Sequence, residues 1–238
     1  MNTLKNFTHK FGLTIVLFIG FCLVGCKSDG VGVTEQLGDK PQGNFQFSHY
    51  HSLGSVNTGV LSIETVKVLM KDIQLNVANS SNTHNFKVGP VVIVQTPNNS
   101  SRLIYIGHEI IPEGTYDKIH FKIHKPGGNE TPPDPEFAEG NSRYSIIVKG
   151  TYDNESFVYK YDKSAVQMLT FPNNLIVTST LTNVTLNIRS FLWFYDENHS
   201  YMNPMNPNNK QKIDRNIKEN IRGNFRVFQD NDGNGEPD

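Results

Sequence analysis

Ile119-His120-Phe121-Lys122-Ile123-His124 sets three apolar side chains against three polar ones in strict alternation. Extended backbone, with its period of two, puts Ile119, Phe121 and Ile123 on one face and His120, Lys122 and His124 on the other. One buried face and one wet face describe a strand in a layered, mainly antiparallel β domain. Just upstream, Pro112 and Gly114 turn the chain and Tyr116 opens the strand.

Working outward, runs rich in Val, Ile, Phe, Tyr and Thr recur between clusters of Asn, Gly, Pro and Ser. Strands are expected at 45–51, 91–95, 102–106, 144–148, 157–161, 175–180 and 184–188. The stretch 60–77 reads as two strand pieces joined by a bulge near Met70-Lys71, because its β-branched content outweighs the helical spacing of Ile63, Val66, Met70 and Ile73. Residues 96–101, Thr-Pro-Asn-Asn-Ser-Ser, suit a hairpin connection between 91–95 and 102–106. The expected fold is an antiparallel β-sandwich of the immunoglobulin or transthyretin kind. At the end of the chain Ile213, Ile217, Ile221, Phe225 and Phe228 step by four, four, four and three among Lys, Arg and Glu, which predicts an amphipathic helix.

The other end of the chain is different in kind. Lys5 and Lys10 precede an apolar stretch at 11–24, which is too short for a bilayer of about 30 Å but suits the apolar region of a signal peptide. It closes on Leu23-Val24-Gly25-Cys26, which resembles the lipobox of bacterial lipoproteins. That resemblance implies cleavage after Gly25 and a covalent lipid at Cys26. The mature chain then keeps 213 of 238 residues and loses Lys5, Lys10 and Cys22, so the formal charge goes from -1 to -3. Two or more acyl chains hold a protein on a membrane without a span. Lys27, where Asp would signal inner-membrane retention, points to the outer membrane. The expected organisation is a signal peptide at 1–25, a lipidated flexible tether at 26–43, a β-sandwich at 44–200 and a C-terminal helix with an Asp-rich tail at 201–238.

Composition removes several function classes. A charge of -1 gives no electrostatic reason to expect nucleic acid, and two cysteines cannot build a disulfide-dense scaffold. Mean hydropathy of -0.43 excludes a multi-span membrane protein. No nucleophile elbow, zinc-protease, P-loop or dinucleotide fingerprint is present, so no enzyme is expected.

The strongest chemical motif is Asp230-Asn231-Asp232-Gly233-Asn234-Gly235-Glu236-Pro237-Asp238. Oxygen side chains at loop positions 1, 3, 5 and 9 (Asp230, Asp232, Asn234, Asp238), the Glu236 carbonyl at position 7 and Gly235 at position 6 match the first part of an EF-hand, so Ca²⁺ is the expected ion. The chain ends before the bidentate Glu of position 12, and unless its own C-terminus or a residue such as Glu197 replaces that carboxylate, affinity is expected in the weak range of about 10⁻⁴ to 10⁻³ M. The competing reading is a solvated acidic tail.

Other candidates carry less. His49 and His51 share a strand face and would need a third ligand such as His108, Glu109 or His199 to hold a transition metal. Residues 125–141, with Glu130, Asp134, Glu136 and Glu139, read as a long acidic loop. Trp193, Tyr195 and Tyr201 could stack on a sugar, although five successive apolar or aromatic residues at 191–195 argue for a buried segment.

Ile110-Ile111-Pro112-Glu113-Gly114-Thr115-Tyr116-Asp117-Lys118-Ile119, Ile146-Ile147-Val148-Lys149-Gly150-Thr151-Tyr152, and Ile217-Lys218-Glu219-Asn220-Ile221 leading to Phe228-Gln229-Asp230 together resemble a group of uncharacterised bacterial lipoproteins. The resemblance runs over most of the mature chain. It implies an all-β domain with an Asp-rich end and implies no activity. The functional expectation is a lipid-anchored envelope lipoprotein, a binding or structural module that contacts host, environmental or envelope proteins or glycans. The alternatives are a periplasmic carbohydrate-binding or envelope-assembly module, and a hydrolase built on a pocket joining the acidic loop to a His.

Overall fold

A computed structural model describes residues 41–51, 59–87, 89–97 and 102–238. The signal peptide, Cys26, nearly all of the tether and the His51 side chain lie outside the described residues. In chain order the strands are β1 (Gln42–His51), β2 (Leu61–Val77), β3 (Thr83–Lys87), β4 (Val91–Gln95), β5 (Leu103–Pro112), β6 (Gly114–Ile123), β7 (Ala138–Glu139), β8 (Ser142–Arg143), β9 (Ile146–Tyr152), β10 (Glu155–Tyr161), β11 (Ala165–Val177), β12 (Thr182–Ile188) and β13 (Phe225–Gln229). A helix, α1 (Pro207–Lys218), precedes β13.

Two sheets face each other across one apolar interior. The smaller runs β13-β12-β1-β5, and the larger runs β10-β9-β2-β6-β11 with β3 and β4 also paired to β2. Ile119, Phe121 and Ile123 are fully buried, as their alternation requires, and meet Phe45, Phe47, Leu186, Ile188 and Phe225 in that interior. Each such side chain contributes about 1.5–3 kcal/mol when withdrawn from water. The fold is therefore a mainly β sandwich with a short C-terminal helix.

β2 organises the larger sheet. It is one strand, bulged between Lys71 and Gln74, where Asp72 takes φ 55°. The Leu69 N–H donates to the Ser145 carbonyl at 2.9 Å, and the His124 N–H donates to the Leu69 carbonyl at 2.8 Å. N–H and C=O of one residue point to the same side of a strand, so β6 and β9 lie end to end along one edge of β2.

Three expectations are corrected. The segments 91–95 and 102–106 do not form a hairpin, since β4 pairs with β2 in one sheet and β5 with β1 in the other. The chain crosses between layers there because both segments find longer-range partners. Pairing is also not antiparallel throughout, since β1 runs parallel to β12 from Phe45↔Thr182 to His51↔Ile188.

The third correction concerns the end of the chain. The helix stops at Lys218 instead of carrying Ile221, Phe225 and Phe228. Asn220, Arg222 and Gly223 adopt positive φ, and the Asn220 amide brackets Phe225, accepting its N–H at 2.7 Å and donating to its carbonyl at 3.1 Å. Phe225 and Val227 then reach the core as alternate residues of β13, which pairs with β12. Upstream, Asn206 caps the helix by accepting the Asn208 N–H at 3.0 Å, and Pro207 occupies its first turn. Ile213 and Ile217 are its buried apolar stripe. Among the described residues, no helix is long and apolar enough to cross a membrane.

Candidate functional site

The Asp-rich loop continues the β12–β13 ladder. The Asp230 N–H donates to the Asn183 carbonyl at 3.0 Å, and Asn183 Nδ2 returns a bond to the Asp230 carbonyl at 2.5 Å. The loop therefore follows a strand of the smaller sheet and not a helix, as an EF-hand would require. Asp230 itself is fully buried. Its Oδ2 accepts the Thr185 hydroxyl at 2.8 Å and the Gly235 N–H at 3.1 Å, while Oδ1 accepts the Asn234 N–H at 3.0 Å.

The remaining donors close the loop on itself. Asp232 accepts from Asn234 Nδ2 at 2.8 Å, Asn234 Oδ1 accepts the Glu236 N–H at 2.7 Å, and Asp238 Oδ2 accepts the Asn231 N–H at 2.8 Å. Gly235 is required twice over, by its φ of 85° and because a Cβ there would overlap the Tyr50 ring. The loop thus lies against the outer side of the smaller sheet.

This folding brings one carboxylate oxygen each from Asp230, Asp232 and Asp238 within 4.8 Å of one another. Among the described residues no cationic side chain pairs with any of the three. Three all-oxygen donors suit a hard cation, with main-chain carbonyls and water left to complete the six to eight that Ca²⁺ takes. Asn234 donates through Nδ2 to Asp232 and accepts the Glu236 N–H at Oδ1, and the Glu236 side-chain carboxylate is not part of the grouping. Glu197 is not among the grouped carboxylates and lies 3.5 Å from Arg215 instead.

The acidic segment is ordered and pinned. Phe137, in a 3-10 turn at Pro135–Phe137, is fully buried against Leu69 and Ile147 on the outer face of the larger sheet. Asp134 pairs with Lys67 at 2.6 Å, Glu136 with Lys149 at 2.9 Å, and Glu139 with Lys160. Glu130 pairs with His124 at 2.7 Å. Burial raises the Asp134 carboxyl, but the Lys67 bond and charge more than offset it. The Lys149 bond lowers Glu136, and the Gly127 N–H followed by His124 lowers Glu130. A groove of about 320 Å³ between this segment and β9–β10 holds Glu136 and Glu139 with Lys149 and Lys160 over Ile147 and Val158, and no His.

The other candidates separate. His49 is buried with neither ring nitrogen at a hydrogen-bond partner, and burial lowers its pKa to about 4, the nearby Ile104 main chain offsetting only part of this. His108, Glu109 and His199 join no metal-spaced group among the described residues. Trp193 is fully buried and so presents no stacking face, while Tyr195 and Tyr201 stack on each other with ring centroids 4.5 Å apart.

One constellation escaped the sequence. Asp214 on α1 accepts the Tyr159 hydroxyl, the Lys163 ammonium at 2.8 Å and Lys210 at 3.1 Å. The Lys210/Asp214 spacing of four was visible, but the reach of β10 to the helix was not. These bonds overcome burial, which by itself raises the carboxyl, and hold Asp214 below the usual carboxylate range.

Fold and site together define a β-sandwich closed by an oxygen-donor loop at its C-terminal end. No protein-family model matches the sequence, and no curated protein matches it. Among solved structures, MbnP from Methylosinus trichosporium is similar at a TM-score of 0.36 and 10% identity, over 64% of this chain and 76% of that chain.

Proposed function

We propose that the chain is a lipid-anchored cell-envelope lipoprotein of the outer membrane, held through acylated Cys26, whose β-sandwich is a non-enzymatic binding module for host, environmental or envelope ligands. The observation that carries the reading is Leu23-Val24-Gly25-Cys26 at the end of a short apolar stretch behind two lysines. In the acidic segment Asp134, Glu136 and Glu139 each pair with a lysine and Glu130 with His124, and the groove beside it is lined by no His. Ca²⁺ at Asp230, Asp232 and Asp238 is a structural ion in this reading, bracing the loop against the smaller sheet.

Cys26→Ala is expected to abolish acylation and move the protein to the soluble fraction; membrane association that survives the change overturns the anchor. Protease digestion of the domain on intact cells supports a surface adhesin. Protection until lysis assigns the module to periplasmic partners.

A further inference from the structure

The outer face of the larger sheet is divided. One half, over β9, is covered by the segment that Phe137 pins, while Val158 of β10 stays 55% exposed in the groove beside it. The other half, β6 and β11, is uncovered and unusual in composition. Val166, Met168 and Ile176 project outward from β11 with 65%, 59% and 61% of their surface exposed. β11 is the marginal strand, thirteen residues long without one charged side chain. Marginal strands are ordinarily guarded by charge or Pro; β11 has Pro172 and no charge, and the exposed aliphatics at 166, 168 and 176 mark a contact surface.

The neighbouring strands supply the complementary chemistry. Val166 pairs with Lys122, and Lys122 with Lys71; Met168 pairs with His120, and Lys118 lies one pair further on, opposite Thr170. Directly opposed residues share a face, so an aliphatic ridge runs beside a band of lysines. Asp117, bound to Lys118 at 3.2 Å, Asp72 near His120 and Glu130 near Lys71 offset part of that charge, while Lys71 and Lys122 make no ion pair among the described residues.

The root of the tether lies at the end of this ridge. A Cβ on Gly43 would collide with Val177 and Thr178, and the Asn44 N–H donates to the Thr178 carbonyl at 3.0 Å. Ile176 is two residues from Thr178, and Leu181, 49% exposed, ends the same turn. If 27–41 is the tether its composition predicts, its end-to-end distance would be on the order of 20 Å, and an anchor at Cys26 would keep this edge close to the lipid surface.

We propose that the β6–β11 face rests on the bilayer that holds Cys26, with Val166, Met168 and Ile176 at the acyl boundary and Lys71 and Lys122 on anionic headgroups. The proposal rests on the lipid-anchor reading. Its test uses the acylated protein in vesicles of phosphatidylethanolamine and phosphatidylglycerol, fluorescently labelled at Met168→Cys, Ile176→Cys or, on the opposite sheet, Tyr105→Cys. Lipid-phase quenchers are expected to act several-fold more strongly at 168 and 176 than at 105, and Lys71→Glu with Lys122→Glu should reduce that difference. Protein that stays on vesicles with equal quenching at all three positions overturns the docking face alone. Unlabelled Met168→Cys that an added oxidant joins into a disulfide between two chains overturns it in favour of a second copy. Failure to remain on vesicles overturns the anchor and the docking together.

Discussion

The Thr185 hydroxyl donates to Asp230 Oδ2 at 2.8 Å, joining β12 to the first residue of the Asp-rich loop. Because Asp230 is fully buried and also receives the Asn234 and Gly235 N–H groups, it is structural as well as a candidate ligand.

Those two roles separate by mutation. Asp230→Ala strands three buried or half-buried donors and is expected to cost about 2–4 kcal/mol without any ion. Asp232→Ala, at an exposed position, should leave that stability within about 0.5 kcal/mol but abolish any response to Ca²⁺. At Ca²⁺ concentrations about 10–100 times the Kd, wild type should gain about 1.4–2.7 kcal/mol, read as a rise in Tm that chelation reverses. A rise that persists in Asp232→Ala places the ion elsewhere.

The Asp214 cluster makes the helix acid-sensitive. Its carboxyl is held lower in the folded chain than in the unfolded one, so it contributes stability above the unfolded pKa of about 4 that is lost as pH falls through the folded value. Asp214→Asn should therefore be less stable than wild type at neutral pH, by about 1.5–3 kcal/mol, with the two curves converging in acid. Denaturant unfolding measured across pH reads this directly.

His49 sets a second, separate window. Its folded pKa of about 4 lies below the ordinary 6.5, so the unfolded chain takes up a proton first as pH falls. Stability is full above pH 6.5 and declines toward pH 4, by on the order of 3 kcal/mol. His49→Leu should remove that slope and, since neither ring nitrogen is hydrogen-bonded, cost little at neutral pH. A slope unchanged between pH 6.5 and 4 in the variant rejects the assignment.

Phe137 fastens the acidic segment. Phe137→Ala should cost about 3 kcal/mol locally and open residues 125–141 to limited proteolysis while β-sheet circular dichroism is retained. Resistance equal to wild type would show that the lysine pairs hold the segment without the ring.

The strand content was legible because burial imposes its period on local sequence. Ile119, Phe121 and Ile123 alternate, and so do Val184, Leu186 and Ile188, and all six are buried. The same logic failed after Lys218, where Ile221, Phe225 and Phe228 keep helical spacing. The residues that end the helix, Asn220 and Gly223, were in view, but the β12 edge that recruits Phe225–Gln229 was not. The Asp-rich loop showed its ligand types plainly. Its attachment to Thr185 and Tyr50 comes from β1 and β12, far away in the chain.

Residue order alone placed most of the strands, because their period depends on neighbours within one strand, and it displayed the Asp-rich run and the lipobox-like residues as local patterns. Which strands pair, why β1 runs parallel to β12, how the acidic segment is neutralised and where the tether meets β11 were decided by tertiary structure. Those features are contacts between segments up to 137 residues apart, such as Gln46 with Asn183. They arise from satisfying backbone hydrogen bonds and burying both sheet faces at once, a condition on the whole chain that no local window contains.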